Sequence, residues 1–237
     1  SKSKAELSVM TFNLLARAFT KYQQNFHRNK EIVEARTQTT SRYAIAGKRI
    51  LSRKADIVFL QEVEAAFFER DWNDTAPKLR KNYTHFECRA KKESPGTAVL
   101  VKKTGRVRAI GQAICIGGTD AEGGSSKIAT IVHVEHKKEK KPFVAVSTHF
   151  TWDGKCGARQ AHAEKIGDTL RQHPSMGSIV LGGDFNSEPG ESLSQLEAAS
   201  FLRSMRRAAN PAGNVMTCMG KRRLENIDHI YMTKNQA

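Results

Sequence analysis

The chain has 237 residues, 39% of them apolar, and 39 Lys and Arg against 24 Asp and Glu give a net charge of +15. That length suits one large layered α/β domain, residues 1–237, better than two small ones. The charge points to a polyanionic partner, nucleic acid first and an anionic membrane surface second, while the longest apolar runs, such as Ile57-Val58-Phe59-Leu60, fall far short of the roughly 18 residues of a membrane-spanning helix.

In chain order, segments of strand type are expected at 7–12, 56–60, 83–88, 97–101, 128–135, 143–147, 178–181 and 227–232. Several are rich in Val, Ile, Thr and Phe and are bounded by Gly, Pro or charge. Between them Ile45, Ile50 and Leu51 mark one helix face, with Lys48, Arg49, Arg53 and Lys54 around the rest. Ala163, Ile166 and Leu170 mark a second helix, and Leu193, Leu196 and Ala199 a third. Hairpin-like pairs are expected around Lys102 to Arg108 and Lys137 to Pro142. This irregular interleaving argues for two mixed sheets flanked by helices rather than a regular βαβ alternation. The stretch Lys137-Lys138-Glu139-Lys140-Lys141 reads as a solvated hairpin tip, with an RNA-contacting loop as the alternative.

Ser1-Lys2-Ser3-Lys4 lacks the apolar core of a secretory leader. Cys88, Cys115, Cys156 and Cys218 lie far apart with no CxxC pair, so reduced thiols are expected rather than a zinc site or a disulfide framework. Both features fit an intracellular protein, with mitochondrial, nuclear and cytoplasmic placements all open.

Chemistry concentrates at strand ends. The strand at Val9-Met10-Thr11-Phe12 closes on the amide of Asn13, and the run Ile57 to Leu60 closes on Gln61 and the carboxylate of Glu62. Val144 to Thr148 closes on the imidazole of His149, and Ile179 to Gly183 on Asp184, Phe185 and Asn186. Any one of these reads equally well as a cap, a turn or a structural histidine. Together they are the hard oxygen ligands, base and donors that metal-assisted phosphoester cleavage needs, held on rigid elements.

The ordered motifs Thr11-Phe12-Asn13, Leu60-Gln61-Glu62-Val63, Gly96-Thr97-Ala98-Val99, Ser147-Thr148-His149, Gly183-Asp184-Phe185-Asn186 and Ile227-Asp228-His229-Ile230 resemble the signature of the endonuclease/exonuclease/phosphatase superfamily. The forms Thr148-His149-Phe150-Thr151-Trp152-Asp153 and Asn186-Ser187-Glu188-Pro189 are similar to those of its deadenylase and nocturnin-like branch. The resemblance implies a four-layer α/β/β/α sandwich with the site at one end between the sheets, and Mg²⁺, or Mn²⁺, as cofactor. It implies Asn13 and Glu62 as metal ligands, and Asp184 as the group that orients or deprotonates water. Asn186 would hold that water or a phosphate oxygen, His149 would donate to the scissile phosphate, and Asp228 would buttress a catalytic histidine. Arg89, Lys91 and Lys92 would clamp phosphate or serve as solvated loop charges. Trp152 would stack on a base or belong to the core, and Trp72 reads as a core residue.

The family's terminal Ser-Asp-His segment is not found. Asp228-His229 instead fits the penultimate strand motif, with His229 in place of its usual Tyr, and the sequence stops where the last loop and strand would follow. A Mg²⁺-dependent 3′–5′ exoribonuclease is the first expectation. A non-catalytic RNA-binding or ribonucleoprotein assembly protein is the second, and a small-molecule phosphatase for dinucleotides or phosphoinositides the third.

Overall fold

The run Ile57-Val58-Phe59-Leu60 is apolar at every position because the strand it forms is covered on both faces. Val58 and Leu60 face helices, while Ile57 and Phe59 face a second sheet. A computed structural model describes residues 7–16, 39–69, 75–118, 127–151, 156–172, 178–187, 191–198, 201–207, 218–219, 224–225 and 228–233. Among them, no helix is long and apolar enough to cross a membrane.

The elements run β1 (Val9–Asn13), α1 (Thr39–Arg53), β2 (Ile57–Val63), α2 (Ala65–Glu69), α3 (Thr75–Asn82), β3 (Tyr83–Cys88), β4 (Gly96–Lys102), β5 (Val107–Gly118) and β6 (Lys127–His136). They continue with β7 (Pro142–His149), α4 (Cys156–Arg171), β8 (Ser178–Asp184), α5 (Glu191–Ala198), a 3₁₀ turn (Phe201–Ser204), β9 (Met205–Arg207), β10 (Cys218–Met219), β11 (Leu224–Glu225) and β12 (Asp228–Thr233). One sheet is four-stranded, in the order β1-β2-β4-β3. The other is six-stranded, in the order β5-β6-β7-β8-β12-β9. Both are mixed, with β1 parallel to β2 and β7 parallel to β8 among otherwise antiparallel neighbours.

The core falls into three apolar clusters, which is the signature of four layers. The first packs α1, α2 and α3 on the outer face of the smaller sheet, through Ile50, Phe67 and Leu79 against Val58 and Leu60. The second packs α4 and α5 on the larger sheet, through Ala163, Ile166, Leu193 and Leu196 against Val144, Val146 and Leu181. The third lies between the sheets, around Phe59, Val99, Val132 and Ala145. The expected α/β/β/α sandwich is the observed one.

Gly182 and Gly183 are in β8 rather than in a turn, and sheet packing explains them. A Cβ on Gly182 would lie 2.3 Å from the Phe59 ring, and one on Gly183 would lie 2.0 Å from the Thr148 carbonyl oxygen. No side chain fits either gap.

Four expectations are corrected. Residues 102–108 do not form a hairpin: the chain leaves β4 of one sheet there and enters β5 of the other. The 12-residue β5 was not anticipated. It is an edge strand whose register shifts between Ile110 and Ile114, with Gly111 at φ +75°, so its apolar alternation is broken at the bulge. Ile45 is exposed, and α1 instead buries Tyr43, Ala44, Ala46 and Ile50. Cys88 and Cys115 form a disulfide that ties β3 of one sheet to β5 of the other, with Cα atoms 5.5 Å apart, so these thiols are not free. The 137–141 hairpin is as expected, joining β6 to β7.

Candidate active site

The parallel pairs decide where the chemistry collects. Because β1 runs with β2 and β7 with β8, their C-terminal ends reach the same end of the sandwich. Asn13 is in register with Gln61, and His149 with Asp184. Antiparallel β12 enters at that end, which places the half-buried Asp228 opposite Asp184.

Glu62 sits at a register shift between Gln61 and Val63 and adopts φ +56° inside a strand. A bulge of this kind re-aims one side chain out of the pleat, and a non-glycine residue held there costs on the order of 1–3 kcal/mol. Below it, Gln61 is fully buried between the sheets. Its amide donates to Ser147 Oγ (3.2 Å), and Ser147 donates in turn to the Leu60 carbonyl (2.9 Å). This cross-sheet bond sets the height at which Glu62 meets the ends of β7 and β8.

The Asn13 amide donates to both carboxylates, Glu62 Oε1 and Asp184 Oδ2, at 2.9 Å each. Its own Oδ1 accepts from the Leu15 N–H at 2.9 Å, so in this orientation Asn13 bridges the acids and turns its oxygen to the backbone. The Ala16 N–H fixes Glu62 Oε2 at 2.7 Å. His149 Nε2 lies 4.0 Å from Glu62 and 3.9 Å from Asp184, and one ligand atom from each of these residues falls within a 4.8 Å group. Burial first, then Lys127 and His162, hold the imidazole neutral, its pKa well below the usual value. Those two approaches are therefore not ion pairs.

Asp184 is pushed up to about 6. Burial is the main cause and neighbouring Glu62 adds to it, against the donors of Asn13 and Asn186 and the charge of Lys127. Two carboxylates buried side by side, beside a neutral imidazole, form a hard donor set that a divalent cation satisfies. The residues fit such an ion: Glu62 and Asp184 would hold it, with the imidazole of His149 beside them.

Lys127, at the start of β6, was not anticipated from sequence. Its ammonium is 3.3 Å from His149 Nε2, a contact made by sheet pairing between residues 22 apart. Its only sequence signal was a position at a strand end, shared by many other lysines here.

Asn186, at φ +47°, gives its backbone N–H to Asp184 Oδ1 (2.9 Å) and its amide to the Phe150 carbonyl (2.7 Å). It orders the loops after β7 and β8. Arg159 supports it from α4 by donating to its carbonyl at 2.9 Å. Arg89 is held in a two-pronged pair by Glu87 (2.9 and 2.8 Å), and Lys91 lies in an exposed turn closed by Ser94. His229 is a core residue whose Nε2 meets the Ser187 carbonyl at 2.8 Å. Lys92 lies exposed in the same turn as Lys91, and Trp152 and Trp72 lie outside the described residues.

The sequence matches the Endonuclease/Exonuclease/phosphatase family over residues 10–237. The chain belongs to that family. Its fold is shared with the human Nocturnin catalytic domain at 20% identity and a TM-score of 0.67, covering 96% of this chain and 82% of that one. ANGEL2, a 2′,3′-cyclic phosphatase solved with adenosine-2′,3′-vanadate, gives 15% identity and a TM-score of 0.73, covering 96% and 84%. A mannosyl-6-phosphatase of Bacteroides thetaiotaomicron gives 16% and 0.67, covering 97% and 86%. Among curated protein sequences, none matches.

Proposed function

We propose that the chain is a Mg²⁺-dependent phosphodiesterase acting on RNA, a 3′–5′ exoribonuclease with deadenylase-like chemistry. One observation carries the reading: Glu62 and Asp184, 122 residues apart in sequence, are buried together and bridged by a single amide, with Lys127 and His149 facing them. Support for RNA comes from the net charge of +15 and from the shared fold with Nocturnin and with ANGEL2.

A bound Mg²⁺, held by Glu62 and Asp184, would supply charge neutralisation at the phosphate. Asp184 orients the attacking water and takes its proton as the water oxygen bonds to phosphorus. The bond from phosphorus to the ester oxygen breaks, and that oxygen leaves with a proton from solvent. Lys127 donates to a phosphate oxygen as charge grows there, and neutral His149 holds the ammonium through Nε2. Asn13 keeps the two acids at a fixed separation, and Asp228 closes the site beside Asp184.

The test is shortening of a 3′-tailed single-stranded RNA in Mg²⁺, with Glu62→Ala and Asp184→Ala alongside. Shortening by the wild type, lost in both variants by on the order of 10³-fold, is the expected result. Binding without cutting would replace this reading with that of a non-catalytic RNA-binding protein. Hydrolysis confined to mononucleotide or dinucleotide phosphates would replace it with that of a small-molecule phosphatase.

A further inference from the structure

The end of the sandwich opposite the candidate site is built of turns and helix C-termini that hydrogen bonds join into one surface. Lys102 Nζ donates to the Lys54 carbonyl at the end of α1 (3.2 Å), and Lys103 Nζ to the Arg80 carbonyl near the end of α3 (2.8 Å). Lys137 Nζ, from the β6–β7 hairpin, donates to the Lys103 carbonyl (2.9 Å), and the Lys137 N–H to the Arg106 carbonyl (2.8 Å). A carbonyl dipole orients an ammonium without cancelling its charge.

Around these anchors the exposed cations gather. Arg53 and Lys54 come from the end of α1, Lys78 and Lys81 from α3, and Lys103 and Arg106 from the β4–β5 connection. The hairpin adds Lys138, Lys140 and Lys141. Among the described residues the acids there are few: Glu135 pairs with Arg108 and Lys140, Glu139 with Lys141, and buried Asp56 is taken by Ser8 and the Arg106 N–H. Like charges brought together in excess of the acids beside them repel one another, so such a surface is expected where a polyanion repays the cost.

We infer that this basic cap is a second, non-catalytic docking surface for the phosphodiester backbone of a single-stranded nucleic acid. A membrane surface fits less well. Among the described residues the exposed large hydrophobics, Ile45 and Ile110, lie outside the segments that build the cap, and an interfacial anchor needs an apolar face. Strand β2 runs from the cap at Ile57 to Glu62, a span of about 17 Å at roughly 3.3 Å per residue. A strand long enough to touch both ends is held at both, and one too short is held at one. The inference depends on the reading of the site as an RNA hydrolase only in the choice of probe.

The experiment is a fluorescence-anisotropy titration of the full chain in EDTA, where nothing is cut, with labelled single-stranded RNAs of 30 and 5 nucleotides. The variant carries Lys78→Gln, Lys81→Gln, Lys138→Gln and Lys141→Gln, and a second carries Arg at the same positions. The expected result is a loss of ten-fold or more for the long RNA with the Gln set, a smaller loss for the short one, which meets fewer of the cations at once, and recovery with the Arg set. The salt slope for the long RNA should fall by about 3, at roughly 0.7 per phosphate contact. Unchanged affinity for the long RNA, or equal losses at both lengths, overturns the inference. So does binding to phosphatidylserine vesicles that the Gln set abolishes while RNA binding stays, which would assign the cap to a membrane surface. Should the Gln set fail to fold, Lys138→Gln and Lys141→Gln singly carry the same comparison with a smaller loss. Because no cleavage is read, a chain without nuclease activity can still pass, and an active nuclease can still fail.

Discussion

The two ends of the sandwich carry charge in opposite ways. At one end Glu62 and Asp184 are buried side by side, and Asp184 is pushed up to about 6 by that burial and by its neighbour. At the other, Asp56 is buried as well, yet the N–H groups of Ser8 and Arg106 and the Ser8 hydroxyl outweigh desolvation and hold it below its usual value. Positive φ divides the same way. Lys54 closes a helix and Lys140 a hairpin, which are ordinary places for it, but Glu62 holds φ +56° inside a buried strand. The distal end uses its polar groups to satisfy one another, while the site end keeps two acids in an arrangement that a cation or substrate completes. Local cost without local compensation is where function is expected.

The sharpest way to break the contrast is at the disulfide. Cys88 lies beside Thr97, and Cys115 beside Thr130, whose hydroxyls also meet across the sheets at 2.8 Å. With the cysteines 27 positions apart in sequence, Cys88→Ser with Cys115→Ser should cost about 3–4 kcal/mol in urea unfolding.

Next in size is the acid limb. Buried His162 packs edge-on against Phe150 at 5.3 Å, and burial lowers it to about 4. The unfolded chain then binds the extra proton between pH 6.5 and 4, so stability is full above 6.5 and falls as pH drops through that window, by about 3 kcal/mol. Asp184 titrates in the opposite sense over part of this window, so the readout is the difference between chains: the change in unfolding free energy from pH 7 to pH 4 should differ by about 3 kcal/mol between the wild type and His162→Phe.

Lys127 is the next point of attack. Lys127→Met should lower kcat on the order of 10²-fold with KM less affected, because the charge acts on the transition state. Lys127→Arg should recover part of the rate, and an equal loss in both variants would mark the residue as merely structural.

The smallest effect concerns the acids themselves. Raised Asp184 binds its proton in the folded state up to about pH 6, so without a cation its ionisation weakens the fold as pH rises from about 4 to 6. Mg²⁺ at ten times its Kd should restore about 1.4 kcal/mol at pH 7.5 and less at pH 5. Glu62→Gln should show no such shift in thermal unfolding.

How much of this was legible in the sequence varies by element. Strands covered on both faces, such as β2 and β7, declare themselves by unbroken apolar runs, and Asn13, Glu62, His149 and Asp184 each follow such a run. The edge strand β5 did not, since half its surface faces water and a bulge breaks its period. Ile45 misled because a helix face is defined by what packs on it, not by its most apolar residue.

The sequence by itself determined the family, the layered class and the acids and amides at the strand ends, because motif order and burial period are local properties of the chain. Only the tertiary structure decided that Asn13 bridges both carboxylates, that Lys127 reaches His149, that Cys88 meets Cys115 and that separate basic turns merge into one surface. Those contacts join residues far apart along the chain, and the sheet registers and the stacking of one sheet on the other set them.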